Sequence, residues 1–136
     1  MVDKVLFSSQ RQDWKTPREF YLKLNDEFLF DFDPCPSNPT NNGLNIDWGW
    51  TNYVNPPYNR DIVLWLRKAI EQLREGRTSV FLLPARTDTK WFHKIVLEYA
   101  EEIRFIKGRL HFDDHKNPAP FPSMIVIFRP KREVEK

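Results

Sequence analysis

The sequence predicts one small α/β domain, and three observations predict it. The chain has 136 residues, the size of a single compact unit with one core. Its apolar patterning runs strand, helix, strand, helix, strand, strand, the order of a small sheet with flanking helices. The stretch from Ser79 to Leu83 is almost continuously apolar, which suits a strand inside a parallel sheet covered on both faces. Composition agrees, since 40% hydrophobic and 15% aromatic residues are far too many for a chain that stays disordered.

Thr16-Pro17-Arg18-Glu19 has the form of a helix start: a hydroxyl N-cap, proline at the first helical position, and a glutamate placed to close a capping box. Phe20, Leu24 and Phe28 recur at helical spacing, so this helix ends near Glu27. Phe28, Phe30 and Phe32 alternate with Leu29 and Asp31, predicting a strand that delivers Asp33 at its carboxyl end. Pro34, Pro36 and Pro39, with Asn38, Asn41, Asn42 and Gly43, then forbid a regular helix and leave a long loop. Asn52-Tyr53-Val54 is a short strand running into Asn55-Pro56-Pro57-Tyr58. Ile62, Leu66, Ala69, Ile70 and Leu73 share one helical face, closed by Gly76. Pro84 interrupts the central apolar strand, and Asp88 is placed to cap a helix whose inner face holds Phe92, Ile95, Val96 and Tyr99. Glu102 to Ile106 and Met124 to Phe128 are the last two strands, joined by a polar excursion through Arg109 and His111, and the tail from Lys131 to Lys136 is expected to fray. Ligands gather at the carboxyl ends of strands in such sheets, so Asp33, Asn55 and Pro84 to Thr87 are expected to share one rim.

Several function classes fall away early. A lone cysteine, Cys35, rules out an internal disulfide. The first ten residues lack the apolar core of a signal peptide, and no apolar run approaches the ~18 residues of a membrane span, so a cytoplasmic chain with no membrane partner is expected. Charge excludes little: 21 Lys and Arg against 19 Asp and Glu leave +2. The basic residues do gather, in Arg60, Arg67, Lys68, Arg74 and Arg77, then Arg86, Lys90 and Lys94, then Arg104, Lys107 and Arg109. That pattern fits either one phosphate-facing patch or ordinary solvation.

Asn55-Pro56-Pro57-Tyr58 carries the most chemistry. Each proline fixes its own φ and holds the residue before it in extended geometry, while two backbone donors disappear. The corner is therefore rich in acceptors. An exocyclic NH2 group can give one hydrogen bond to the Asn55 side-chain oxygen and one to the Pro56 carbonyl, which localises the nitrogen lone pair and makes the amine nucleophilic without a general base. Tyr58 would offer a flat face for stacking a base. The bland alternative is a proline turn that merely ends a strand. His111-Phe112-Asp113-Asp114-His115 looks superficially like a metal cluster but matches no usual zinc spacing, so no metal is expected.

Asn-Pro-Pro-Tyr after a strand is similar to the signature of amino-directed methyltransferases that use S-adenosylmethionine. The wider pattern adds Asp13-Trp14-Lys15-Thr16-Pro17, Phe30-Asp31-Phe32-Asp33-Pro34-Cys35, Trp48, Leu83 to Thr89 with Trp91-Phe92, and Gly108-Arg109-Leu110 with Phe112. Together these blocks resemble the small phage-type DNA N6-adenine methyltransferases, the Dam family of phages and prophages. The resemblance implies one methyltransferase domain over residues 1–136, with its core at about 13–130. It implies catalysis at Asn55, Pro56, Pro57 and Tyr58, cofactor binding at Thr16, Pro17, Asp33, Pro34 and Cys35, and DNA contact at Arg86, Thr87 and Arg109. The substrate it implies is an adenine flipped out of DNA in the cytoplasm of a bacterial host. Physics leaves bland options beside several of these roles: Thr16 as a plain cap, Cys35 as a packing residue, Arg86 in a salt bridge with Asp88, and Trp91 in the core.

One departure from the family pattern shapes the fold. Only residues 34–54 separate the first cofactor motif from Asn55, and a single crossover with its helix takes at least ~10–12 residues, so two crossovers do not fit. The expected fold is therefore a shortened Rossmann-like methyltransferase sheet of about five mostly parallel strands with flanking helices. The ribose partner is then expected in an unusual place, Asp47 or a loop asparagine. Two other functions fit the same motifs: amine or amide methylation on protein or RNA, and a non-catalytic DNA-binding relic of the fold.

Overall fold

The computed structural model describes residues 14–36 and 42–131. Asp13, Asn38, Pro39, Asn41 and the tail beyond residue 131 lie outside the described residues. Helix α1 spans Arg18–Phe28, strand β1 Thr51–Val54, helix α2 Ile62–Arg74 and strand β2 Thr78–Pro84. A wide π-helical stretch, Phe92–Val96, runs into the short helix α3, Leu97–Tyr99, and strands β3 (Glu102–Phe105) and β4 (Ser123–Phe128) complete the sheet. The helical stretch after β2 is capped by Thr89 rather than Asp88, for the Thr89 hydroxyl accepts from the Phe92 N–H at 3.2 Å.

The strand order is β1-β2-β4-β3. β1 pairs with β2 in parallel, whereas β4 is antiparallel to both β2 and β3. Five mostly parallel strands are therefore not what forms: among the described residues there are four, with one parallel and two antiparallel pairings. The reason lies in what a continuous apolar run reports. Every residue of β4 is buried, but burial on both faces says nothing about strand direction. No helix is described between β3 and β4, and a neighbouring strand reached without a crossover helix pairs antiparallel.

The expected strand before Asp33 shrinks to a single parallel bridge between Phe32 and Asn52, because α1 runs on through Phe28 and Pro34 follows closely. Two hydrogen bonds hold it against β1, Asp31 N to Thr51 O at 2.9 Å and Tyr53 N to Phe32 O at 3.1 Å. Since β1, β2 and β3 all run opposite to β4, their carboxyl ends and that of the Phe32 segment open on one rim. Asp33, Asn55 and Ala85 leave the sheet there.

The core joins Val80 to Leu83 and Met124 to Phe128 with Ile62, Leu66 and Ala69 of α2. The loop that replaces the missing crossovers is pinned by Trp48, which is buried, stacks on Trp65, donates its indole N–H to Gly43 O at 2.8 Å and its backbone N–H to Gln72 Oε1 at 2.9 Å. Gly43 has no room for a side chain, because a Cβ there would sit 1.9 Å from the Pro34 carbonyl oxygen. This closure places Asp33 beside the end of β1.

Candidate active site

Strand alternation puts Tyr53 and Asn55 on the same side of β1. The Asn55 amide is held at both ends. Its nitrogen donates to the Trp14 carbonyl and to Thr16 Oγ1 (3.2 Å), and its oxygen accepts from the Tyr58 hydroxyl at 2.7 Å. The Trp14 carbonyl only accepts, which settles which end of the amide is nitrogen. Tyr58 also faces the Leu82 carbonyl at 3.2 Å, and Thr16 Oγ1 meets the Tyr53 hydroxyl at 2.6 Å. A chain of contacts thus runs Tyr53, Thr16, Asn55, Tyr58, Leu82. A carbonyl oxygen has two lone pairs, so the one Tyr58 bond leaves Asn55 Oδ1 an acceptor site to offer.

Two expectations change here. Thr16 does not cap α1, whose first turn has Pro17 at its N-cap and no side-chain cap bond. Its hydroxyl serves Tyr53 instead, because a phenol only 2% exposed needs a buried partner more than a helix end open to water does. Tyr58 presents no open face for stacking: it is 3% exposed, with Phe112 and Phe121 edge-on to its ring at 6.3 and 5.7 Å. Those phenylalanines come from the excursion at 106–122, which folds back over the corner and also clasps Trp14 between Phe112, His115 and Phe121.

A cavity of about 320 Å³ opens beside this network, within the range of small-molecule sites. Of the residues singled out from the sequence, Thr16, Asp33, Cys35 and Asn55 line it. Pro17, Pro34, Pro56, Pro57 and Tyr58 are not among its lining residues, and Asp47 is exposed outside it. Sequence reasoning missed Lys15, Arg18, Tyr21, Tyr53 and Asp113; for Tyr53 the signal was there, two residues before Asn55 on a strand. Arg86, Thr87 and Arg109 are exposed and do not reach the cavity. Arg86 makes no ion pair with Asp88, and the His93 ring donates to the Thr87 carbonyl at 2.7 Å.

Burial pushes the Asp33 carboxyl up from 3.8 to about 6, against the pull of the Cys35 N–H at 2.9 Å. The Tyr53 and Tyr58 phenols are raised by burial too, so both stay protonated. The cavity therefore combines a carboxyl short of a cation, an uncapped helix start carrying Arg18, and an oriented amide oxygen.

A family model described as DNA N-6-adenine-methyltransferase (Dam) matches residues 4–136. The chain belongs to this family. It is 28% identical over 141 residues to the DNA N-6-adenine-methyltransferase of Haemophilus phage HP1 (strain HP1c1), covering 90% of this chain and 82% of that protein. It is 33% identical over 116 residues to the DNA N-6-adenine-methyltransferase of Escherichia phage T1, covering 76% of this chain and 48% of that protein. The Dam resemblance carried by the motifs is thus established across nearly the whole chain. No described helix of this Dam-family chain is long and apolar enough to cross a membrane.

Proposed function

We propose that the chain is a single-domain methyltransferase that moves a methyl group from S-adenosylmethionine to the N6 amine of adenine in DNA, in the cytoplasm of a bacterial host. The observation that carries this reading is the Asn55 amide, locked by Trp14, Thr16 and Tyr58 at the wall of a cavity that Asp33 also lines.

The donor set fits the amino-acid end of S-adenosylmethionine, which carries both an ammonium and a carboxylate. Asp33, whose carboxylate accepts from the Cys35 N–H, lines the part of the cavity suited to the ammonium. Arg18 and the free N–H groups at the uncapped start of α1 suit the carboxylate. When bound, the cofactor supplies an electrophilic methyl group on a sulfonium. Asn55 Oδ1 and the Pro56 carbonyl accept the two N6 protons, drawing them aside so that the nitrogen lone pair faces the cavity. Pro56 and Pro57 keep that corner rigid, Tyr58 orients Asn55 from behind, and Arg86, Thr87 and Arg109 on the exposed rim take the DNA. Catalysis is then chiefly positioning.

Transfer of labelled methyl from S-adenosylmethionine to duplex DNA, RNA and lysate protein tests the reading. DNA should take the label on adenine, and Asn55→Ala should lose the transfer while its circular dichroism stays that of the parent. A folded Asn55→Ala protein with full activity sinks the assignment. Absence of any heat of binding with S-adenosylmethionine would make the chain a relic.

A further inference from the structure

The basic residues picked out along the sequence do not form one patch. Arg104 is tied to Glu27 and Glu102 at 2.6 and 2.7 Å, Arg77 to Glu75 at 3.7 Å, and Lys68 to Glu71 at 3.1 Å. Arg67 and Arg74 on α2, with Lys90 and Lys94 on the helical stretch 90–99, pair with no carboxylate among the described residues. These four line a second cavity of about 750 Å³ between the two helices. Its apolar lining includes Val63, Ile70, Trp91, Ile95 and Tyr99, so the aromatic ring of Trp91 lies among the cations. Glu71 is the one acid there, and Lys68 already neutralises it.

Both helices start at the rim that carries Asn55 and Thr87 and run away from it, so the groove begins where the proposed chemistry ends. Four unpaired cations would repel their counterparts across a two-fold axis, which argues against a second copy of the chain as the occupant. A phosphodiester backbone meets every feature: it is a regular anion, it continues from the rim, and exposed sugar or base surface suits the aromatic floor. We propose that the groove between α2 and residues 90–99 holds the phosphodiester backbone of the substrate DNA flanking the target adenine. This rests on the DNA methyltransferase reading and adds a second contact, away from the catalytic cavity.

The test is a salt titration of duplex binding by fluorescence anisotropy, comparing the parent with the triple variant Arg67→Ala, Arg74→Ala, Lys94→Ala on a labelled duplex of about two helical turns. Each lost phosphate contact removes about 0.9 from the slope of log affinity against log salt, so the variant should be shallower by about 2.7, a loss about 40-fold smaller over a fourfold rise in salt. Its affinity for S-adenosylmethionine should match the parent's. An unchanged slope overturns the proposal. So does displacement of the duplex by polyglutamate at lower charge concentration than by unlabelled duplex, which would make the groove a site for acidic protein. A parent that binds no duplex at all defeats the DNA reading itself, a result distinct from failure of the groove alone.

Discussion

Changing pH across the range in which Asp33 titrates probes the end of the cavity proposed to hold the cofactor. Burial raises this carboxyl from 3.8 to about 6. If its partner is the ligand's ammonium, only the ionised form binds well. With a value near 6, about 90% of molecules carry the carboxylate at pH 7 and about 10% at pH 5, so affinity for S-adenosylmethionine should fall about tenfold between them. Above about pH 8 the ligand's own α-amine loses its charge, so affinity should peak near neutrality. Calorimetry in two buffers of different ionisation heat measures both the affinity and the protons: binding at pH 6 should release about half a proton from the protein. Asp33→Asn should bind more weakly and lose the fall between pH 7 and pH 5. A parent-like profile in Asp33→Asn, or a flat profile in the parent, refutes the assignment of Asp33.

The same group predicts stability, with the sign reversed from an ordinary salt-bridged carboxylate. Folded Asp33 keeps its proton up to about pH 6, whereas the unfolded chain releases it near 3.8. Its contribution is fully present below about pH 4 and is lost as pH rises to about 6, a change of at most ~3 kcal/mol. Denaturant midpoints measured from pH 4 to pH 7 should show this decline, and Asp33→Asn should lack it.

Tyr58→Phe should leave Asn55 Oδ1 and the Leu82 carbonyl without their donor, costing about 1–3 kcal/mol in denaturant unfolding and lowering methyl transfer about tenfold at unchanged cofactor affinity; a variant that melts with the parent contradicts the network. Tyr58→Ala is the wrong probe of chemistry, since emptying the space beside Phe112 and Phe121 costs about 3–5 kcal/mol and endangers the fold. Gly43→Ala forces a Cβ against the Pro34 carbonyl and should destabilise by about 1–3 kcal/mol through displacement of the loop, whereas Gly76→Ala, with open space but φ of +84°, should cost about 1–2 kcal/mol through backbone strain alone. Chemical denaturation of the two, with cofactor affinity as second readout, separates the mechanisms: Gly43→Ala should weaken binding through Asp33 and Gly76→Ala should not.

Much of this was legible locally. The periodicity of Ile62 to Leu73 specifies α2 whatever surrounds it, and the proline pair after β1 marks the corner because proline restricts its neighbours without help from the rest of the fold. The rim followed from the same local evidence, since chain order alone places Asp33, Asn55 and Ala85 after strand segments. That Thr16 matters was legible but its contact was not, because a hydroxyl in a capping pattern bonds whichever donor or acceptor lies buried nearby, and Tyr53 is 37 residues away.

Element types, the acceptor-rich corner and family membership belong to the sequence by itself, because short-range sterics, hydrophobic period and motif spacing all act within a few residues. Tertiary structure alone decided that β4 enters the sheet reversed, that Tyr58 is covered by Phe112 and Phe121, and that four of the scattered cations share one groove. Each depends on where the excursion at 106–122 and the helix at 90–99 come to rest, and packing between distant segments leaves no periodic trace in the chain.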